Sequence, residues 1–310
     1  MSIIYINHSK SQCGVYEIGK RIYELFDKEV LPIKYFETPV NGYVEYNRIM
    51  LDEKPNYVLY NYFPGTLPYL NKNLFNQYPN AKHIGIIHDP LTPEMIQFYN
   101  TTFDCWIIHD DTNETPSTNK FRTIRPIRRY EKTNKESGVL NIGSHGFNVS
   151  PWKMFDRMIE IIHNEFDEVN INMNITQATF GSSNDDYNFK LWRDIITKKN
   201  VNLNLTNTYF DTETEVIEFL SKNDLNMYFY NPPHIYIGVG GSADLAVSSQ
   251  SSLIVNNNYM YRHFHNHIGY FEMTNNINSF LKNNTKVKEL YDLWSPERMT
   301  NDYKRMIESL

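Results

Sequence analysis

Residues 230–255 read YNPPHIYIGVGGSADLAVSSQSSLIV. A run of Pro and aromatics enters three glycines within four positions, Gly238, Gly240 and Gly241, in a chain with only 13 glycines in 310 residues. The segment leaves through Ser242-Ala243-Asp244-Leu245, which reads as the first turn of a helix, and at once reaches the apolar run Ser252-Leu253-Ile254-Val255. Strand, glycine turn, helix and strand in succession make one unit of a parallel α/β sheet. Glycines at such a turn let several backbone N–H groups converge on phosphate oxygens without a cationic side chain. Ser242 is expected either to cap the helix or to bond the ligand, while Asp244 suits the helix dipole and needs no ligand to explain it. The spacing does not fit G-x-x-x-x-G-K-[ST], which excludes a P-loop, and it is a poor G-x-G-x-x-G placed late in the chain.

The same alternation extends through the chain. SIIYIN, LPIKYFET, NYVLYNYF, KHIGIIHD and FDCWIIHD read as strands separated by helical periodicities such as Val15, Ile18, Ile22, Leu25 and Phe26. After a polar, basic stretch the pattern restarts with GVLNIGSH, VNINMNIT, VNLNLTNT and LNMYFYN. Pro151 after Ser150 reads as the start of a helix that runs through PWKMFDRMIEIIHNEF, and Ser295-Pro296 opens a final one. The predicted fold is α/β with two Rossmann-like domains, 1–133 and 134–310, facing a cleft. A linker lies near 132–138, and the C-terminal helix packs back toward the first domain. Ligands in such sheets gather outside the strand C-termini.

Composition bounds the partners. The formal net charge of −6 weighs against tight non-specific binding of nucleic acid. The cluster Arg122, Arg125, Arg128 and Arg129 reads first as a solvated connector and keeps a DNA acceptor open as the second choice. Cys13 and Cys105 have no metal or pairing spacing and read as reduced thiols. The sequence has no signal-peptide pattern and no apolar run of about 18 residues, so a cytoplasmic protein with no transmembrane segment is expected.

Chemistry collects at the strand ends. Gly14 precedes a helix, where backbone amides can approach an anion, or forms an ordinary βα turn. Gly143, Ser144, His145 and Gly146 precede the helix near Pro151, and Lys153 in its first turn works against the dipole unless it meets a phosphate. His88-Asp89 and His109-Asp110 end two strands; a histidine there can hydrogen-bond a sugar hydroxyl or handle a proton, or be a loop residue satisfied by backbone. His263, His265 and His267 would share a face on a strand and could then hold a metal, but no Cys or acidic cluster supports this, so no metal is expected.

In order along nearly the whole chain, these features resemble the GT-B glycosyltransferases, specifically bacterial and phage sequences near family four. The matching segments are Cys13-Gly14-Val15-Tyr16, His88-Asp89, Gly143-Ser144 with Lys153, Gly238 to Ser242, and the run SSLIVNNNYMYRHF. Many family-four members carry two glutamates around the late glycine loop; the matching positions here, Ile237 and Leu245, are not acidic. The resemblance implies transfer of a hexose or pentose from a nucleoside-diphosphate sugar, UDP or GDP foremost, to a glycan, lipid-linked or small-molecule hydroxyl. It implies retention of configuration and no metal or other cofactor. It assigns His88, Asp89 and Lys153 to catalysis and Gly14, Gly143, Ser144, Lys153, Gly240, Gly241 and Ser242 to the donor. Tyr16, His109 and Arg262 go to the acceptor. A DNA glycosyltransferase acting on a hydroxymethylated base, and a non-catalytic nucleotide-sugar-binding protein, are the alternatives.

Overall fold

A computed structural model describes residues 2–11, 13–88, 92–132, 138–147, 150–177, 185–231, 240–272 and 276–310. The chain forms two compact units: Met1–Pro126 with Trp294–Leu310, and Ile127–Tyr236 with Gly240–Leu293. Of the expected linker at 132–138, residues 133–137 lie outside the described residues.

The first unit runs β1 (Ile3–His8), α1 (Gly14–Leu25), β2 (Ile33–Thr38), α2 (Tyr43–Glu53), β3 (Tyr57–Tyr62), α3 (Lys72–Phe75), β4 (Lys82–Ile87), α4 (Pro93–Thr102), β5 (Cys105–Ile108) and β6 (Lys120–Arg122). Its sheet has the order β2-β1-β3-β4-β5-β6, with every pairing parallel. The second unit runs β7 (Asn141–Phe147), α5 (Phe155–Glu165), β8 (Val169–Thr176), α6 (Asp185–Ile195), β9 (Val201–Thr206), α7 (Glu213–Ser221), β10 (Leu225–Tyr228), α8 (Ser242–Ser248), β11 (Ser252–Val255), α9 (Arg262–Ile268) and α10 (Asn284–Leu293). Its sheet, also parallel throughout, has the order β11-β10-β7-β8-β9.

The strands are apolar because parallel sheets are covered on both faces. β1 is buried at all six positions, and β10 and β11 at all four. The first core joins Ile4, Tyr46, Tyr60, Phe75, Tyr99 and Trp106; the second joins Ile142, Ile159, Met173, Trp192, Met227 and Ile254. Each such aliphatic side chain contributes about 1.5–3 kcal/mol by leaving water. The two strand orders also set a switch point in each sheet. Neighbouring strands depart in opposite directions at β1/β3 in one sheet and at β7/β10 in the other, and such switch points leave a crevice beyond the strand C-termini.

The last helix, α11 (Pro296–Glu308), starts as its sequence predicts, with Ser295 Oγ accepting from the Arg298 N–H at 3.1 Å. It packs on the first unit. Tyr303 meets Phe26 edge-on at 4.8 Å, Asp302 accepts from Thr123 Oγ1 at 2.8 Å, and Thr300 Oγ1 accepts from the Asp27 N–H at 3.1 Å.

Three local expectations are corrected. The helix expected from Pro151 is interrupted: Pro151–Lys153 form a 3-10 turn, Met154 takes the left-handed conformation (φ 48°), and α5 starts at Phe155. Lys153 therefore stands in the turn before α5 rather than in the first turn of the helix. The segment carrying His263, His265 and His267 is α9, not a strand, so two-residue spacing turns successive rings about 200° apart. The arginine connector is not uniformly solvated. Arg125 is 4% exposed and donates to His109 O at 2.7 Å, Arg128 pairs with Glu213 at 2.7 Å, and Arg129 lies 4.4 Å from the Tyr291 ring centre.

Candidate functional site

The C-terminal edge of the first sheet carries an amide relay. Asn7 at the end of β1 donates to Tyr16 O and Tyr35 Oη, each at 3.1 Å, and its Oδ1 accepts from the His8 N–H at 2.9 Å. Asn61 on β3 donates to that same Oδ1 and to Val15 O, both at 2.8 Å. Because the Asn61 amide nitrogen faces two acceptors, its Oδ1 is the atom left for His88, 2.5 Å away. An amide oxygen only accepts, so His88 Nε2 carries the proton and Nδ1 the lone pair. Burial, then the Arg125 charge and His8, hold the His88 pKa down at about 3. His88 is thus a neutral hydrogen-bonding group and a weak proton acceptor at neutral pH. Asp89 lies outside the described residues.

His8 is fully buried, and burial outweighs the opposing pull of Glu37 to hold its pKa at about 4. Tyr16 sets its ring edge-on to His8 at 5.7 Å and donates to Glu37 at 2.9 Å. Gly14 opens α1 exposed, and a Cβ added there would meet nothing within 4 Å.

His109 is corrected as an acceptor-binding residue. It is 2% exposed, and both ring nitrogens are engaged at 2.8 Å, Nδ1 by Ile124 O and Nε2 by Tyr303 Oη. Burial and Arg125 lower its pKa well below the ordinary value. It joins the final helix to the first unit.

The second sheet's edge differs. Lys153 is half-buried, and burial lowers its pKa to about 8. Its Nζ lies 3.8 Å from the position a Cβ on Gly146 would occupy, so it reaches back over the end of β7. His145, 5% exposed, points its Nδ1 at Asn174 Oδ1 at 2.9 Å; its pKa is held at about 4, by burial first and with Lys153 contributing.

Two donor assignments on β7 are corrected. Gly143 lies inside the strand, paired with Asn172 and Asn226, and a Cβ there would meet Asn172 O at 2.7 Å as well as the Asn223 amide. Ser144 is 0% exposed. Close packing explains the glycine, and neither residue sits in a loop that offers its amide to a ligand.

At the glycine segment, Gly238 lies outside the described residues. A Cβ on Gly240 would meet the Tyr261 ring at 2.9 Å, and Gly240 N–H points at Met260 O at 3.4 Å. Gly241 is the N-cap of α8, with no side-chain cap; Ser242 is the first helical residue, so its expected capping role is corrected. Asp244 is fully buried, 4.0 Å from His263 Nε2. Arg262 opens α9 over the Tyr259 ring at 4.2 Å and donates to Tyr259 O at 2.8 Å.

Sequence reasoning passed over Asn7, Asn61 and Trp152. The signal for the two asparagines was a polar residue near the end of an otherwise apolar strand, in YINH and YNY. A cavity of about 290 Å³ lined by Met50, Pro55, Tyr78 and Ala81 opens at the start of β3 and β4, the far end of these strands from His88. Among the described residues, no group of three or more His, Cys, Asp or Glu is placed to hold a metal ion, and no helix is long and apolar enough to cross a membrane.

No protein-family model matches the sequence, and no curated protein matches it. Solved structures do. Anabaena HepE in complex with UDP-glucose superposes with a TM-score of 0.72 over 100% of both chains at 11% identity. A Rickettsia africae glycosyltransferase gives 0.67 at 12% identity, covering 100% of this chain and 99% of its own. An α-glucosyltransferase in complex with UDP-glucose and DNA containing an abasic site gives 0.57 at 12% identity, covering 96% and 93%. At these identities the likeness establishes the fold: the chain has the two-domain GT-B architecture.

Proposed function

We propose that this protein is a glycosyltransferase that moves a sugar from a nucleoside-diphosphate sugar, UDP-linked foremost, to a hydroxyl acceptor. The observation that carries the reading is Lys153, a half-buried cation in the turn after β7, at the switch point of the second sheet. A cation kept in a partly apolar setting is costly until an anion meets it. The departing diphosphate is such an anion, and the amides of Gly241 and Ser242 at the start of α8 are proposed as further donors, the Gly240 N–H being directed at Met260 O.

The reacting sugar carbon develops oxocarbenium character, so stabilising the leaving group and positioning the acceptor matter more than a strong base. That agrees with His88 as a neutral hydrogen-bonding group for the acceptor hydroxyl, near Gly14 and Tyr16. Asp89 remains assigned to the same centre. Positive charge from Lys153 and the amides removes the need for a metal ion, and retention of configuration is the expected outcome. The acceptor is a glycan, lipid-linked or small-molecule hydroxyl.

A DNA acceptor is the second reading, favoured by the likeness to the DNA-bound α-glucosyltransferase. It draws less from the arginine connector, since Arg125, Arg128 and Arg129 are engaged in contacts within their own units.

The test is release of UDP from UDP-glucose, and of the nucleotide from GDP-, ADP- and TDP-sugars, with glycan and duplex DNA acceptors and with EDTA present. Acceptor-dependent release that persists in EDTA and vanishes in Lys153→Ala is expected. Binding without release would instead indicate a nucleotide-sugar-binding protein, in line with the non-acidic Ile237 and Leu245. Failure of every donor to bind would refute the proposal.

A further inference from the structure

The four tryptophans are placed very differently. Trp106, Trp294 and Trp192 are 0%, 1% and 6% exposed, whereas Trp152 is 43% exposed. Yet the Trp152 backbone is closely held. Ser150 Oγ accepts its N–H at 3.3 Å, Pro151 precedes it with a fixed φ, and its carbonyl accepts from the Asn231 N–H at 2.7 Å. Two residues on, Met154 closes the turn in the left-handed conformation at φ 48°, which a bulky residue adopts only at a cost. An indole left in water on a turn fixed at this many points is suited to receive a flat partner without first being ordered.

Its position narrows the partner. Trp152 follows β7, and Asn231 follows β10, so the hydrogen bond between them spans the switch point of the second sheet. The next residue, Lys153, turns back over the end of β7 beside Gly146. In a 3-10 turn adjacent side chains diverge by about 120°, so Lys153 reaches back over the end of β7 while Trp152 presents its ring to solvent.

We propose that Trp152 is the stacking platform for the nucleobase of the donor nucleotide whose diphosphate Lys153 holds. This rests on the donor reading above. Base–aromatic stacking is tolerant of base identity, because every base has a π face; Trp152 therefore adds affinity and leaves the choice of base to other groups.

The full-length protein supplies its own probe, because Trp152 is the accessible indole among three buried ones. Iodide quenching of tryptophan fluorescence is measured with and without saturating UDP, GDP, ADP, uridine and glucose 1-phosphate. The nucleotide that binds, as established by calorimetry, is expected to shield the quenchable fraction; glucose 1-phosphate is not. Trp152→Ala should weaken that nucleotide on the order of tenfold or more, with Trp152→Phe recovering most of the loss. Both variants should fold, since the ring lies on the surface, and circular dichroism checks this.

A bound nucleotide that leaves iodide access unchanged, or that binds Trp152→Ala as tightly as wild type, overturns the platform and spares the donor site. Shielding by glucose 1-phosphate equal to that by the nucleotide overturns the assignment to the base. If no nucleotide binds the wild type, the donor site and the platform fall together.

Discussion

The two sheets end in different chemistry. The C-terminal edge of the first collects neutral groups, the Asn7–Asn61–His88 relay, His8 with its pKa near 4, and Tyr16, with the charged Glu37 bonded to Tyr16 and the Arg125 charge acting on His88. The edge of the second sheet keeps Lys153, half-buried and charged at pH 7, turned back over the end of β7 beside Gly146. Both use one device, a polar residue placed where strands diverge. What differs is the cost accepted. In the first unit burial makes the histidines neutral, which suits an uncharged hydroxyl; in the second a lysine is held where an anion would repay its desolvation.

The largest effect that tests this contrast is acid stability. His8 and His88 have folded pKa values of about 4 and about 3, below the 6.5 of an unperturbed histidine. The unfolded chain takes up protons as pH falls below about 6.5 while the native histidines stay neutral, so stability is lost from there toward the folded values. His109 adds in the same direction, whereas in the second unit the lowered histidines are His145, with a value near 4, and His265, lowered by burial. Loss of a few kcal/mol in the first unit between pH 7 and 4.5 is expected, on the order of 1.4 kcal/mol per pKa unit. Region-resolved hydrogen exchange at the two pH values should show β1, β4 and β5 losing protection before β7 and β8. The reverse order would break the contrast.

A smaller effect separates the two edges by ligand. Lys153→Ala should weaken nucleotide-sugar binding by about ten- to a hundredfold, the scale of a charge-assisted hydrogen bond. His88→Ala should leave donor affinity in place and raise the acceptor KM. Calorimetry with the donor, alongside initial rates at varied acceptor, reads both. If His88→Ala abolishes donor binding, the division of labour between the sheets is wrong.

Smaller again is the relay itself. Asn61→Ala leaves Asn7 Oδ1, Val15 O and His88 Nε2 without one partner each, and should cost about 1–3 kcal/mol, read as a lower unfolding midpoint in urea. His88 would also be released from its tautomer, so a changed pH profile of acceptor KM should accompany the loss. An unchanged profile would mean that the relay is structural alone.

Much of this was legible in the sequence, for local reasons. Apolar runs of four to six residues alternating with helical periodicity gave parallel strands and their covering helices. Ser295-Pro296 marked a helix start, because a cap and a first-turn proline act within four residues. Lys153 stood out because a cation in the first turn of a helix opposes the dipole, a premise removed by the 3-10 turn that places it before α5. Errors arose where a residue's role depended on distant partners. His109 looks like an exposed strand-end histidine until Tyr303, 194 residues away, takes its Nε2. Gly143 looks like a ligand-binding glycine until the Asn223 side chain and the Asn172 carbonyl occupy the space beside it.

By itself, the sequence determined two parallel α/β sheets, the start of α8 after Gly240 and Gly241 and the polar strand ends, since periodicity, caps and turn residues act over a few positions. The tertiary structure alone decided which polar residues are consumed in packing and which remain for chemistry. It buried Arg125, engaged both nitrogens of His109, set His88 on Asn61 and left Trp152 in water. Burial, charge state and hydrogen-bond partner are properties of what surrounds a side chain, and those surroundings come from segments far apart in the chain.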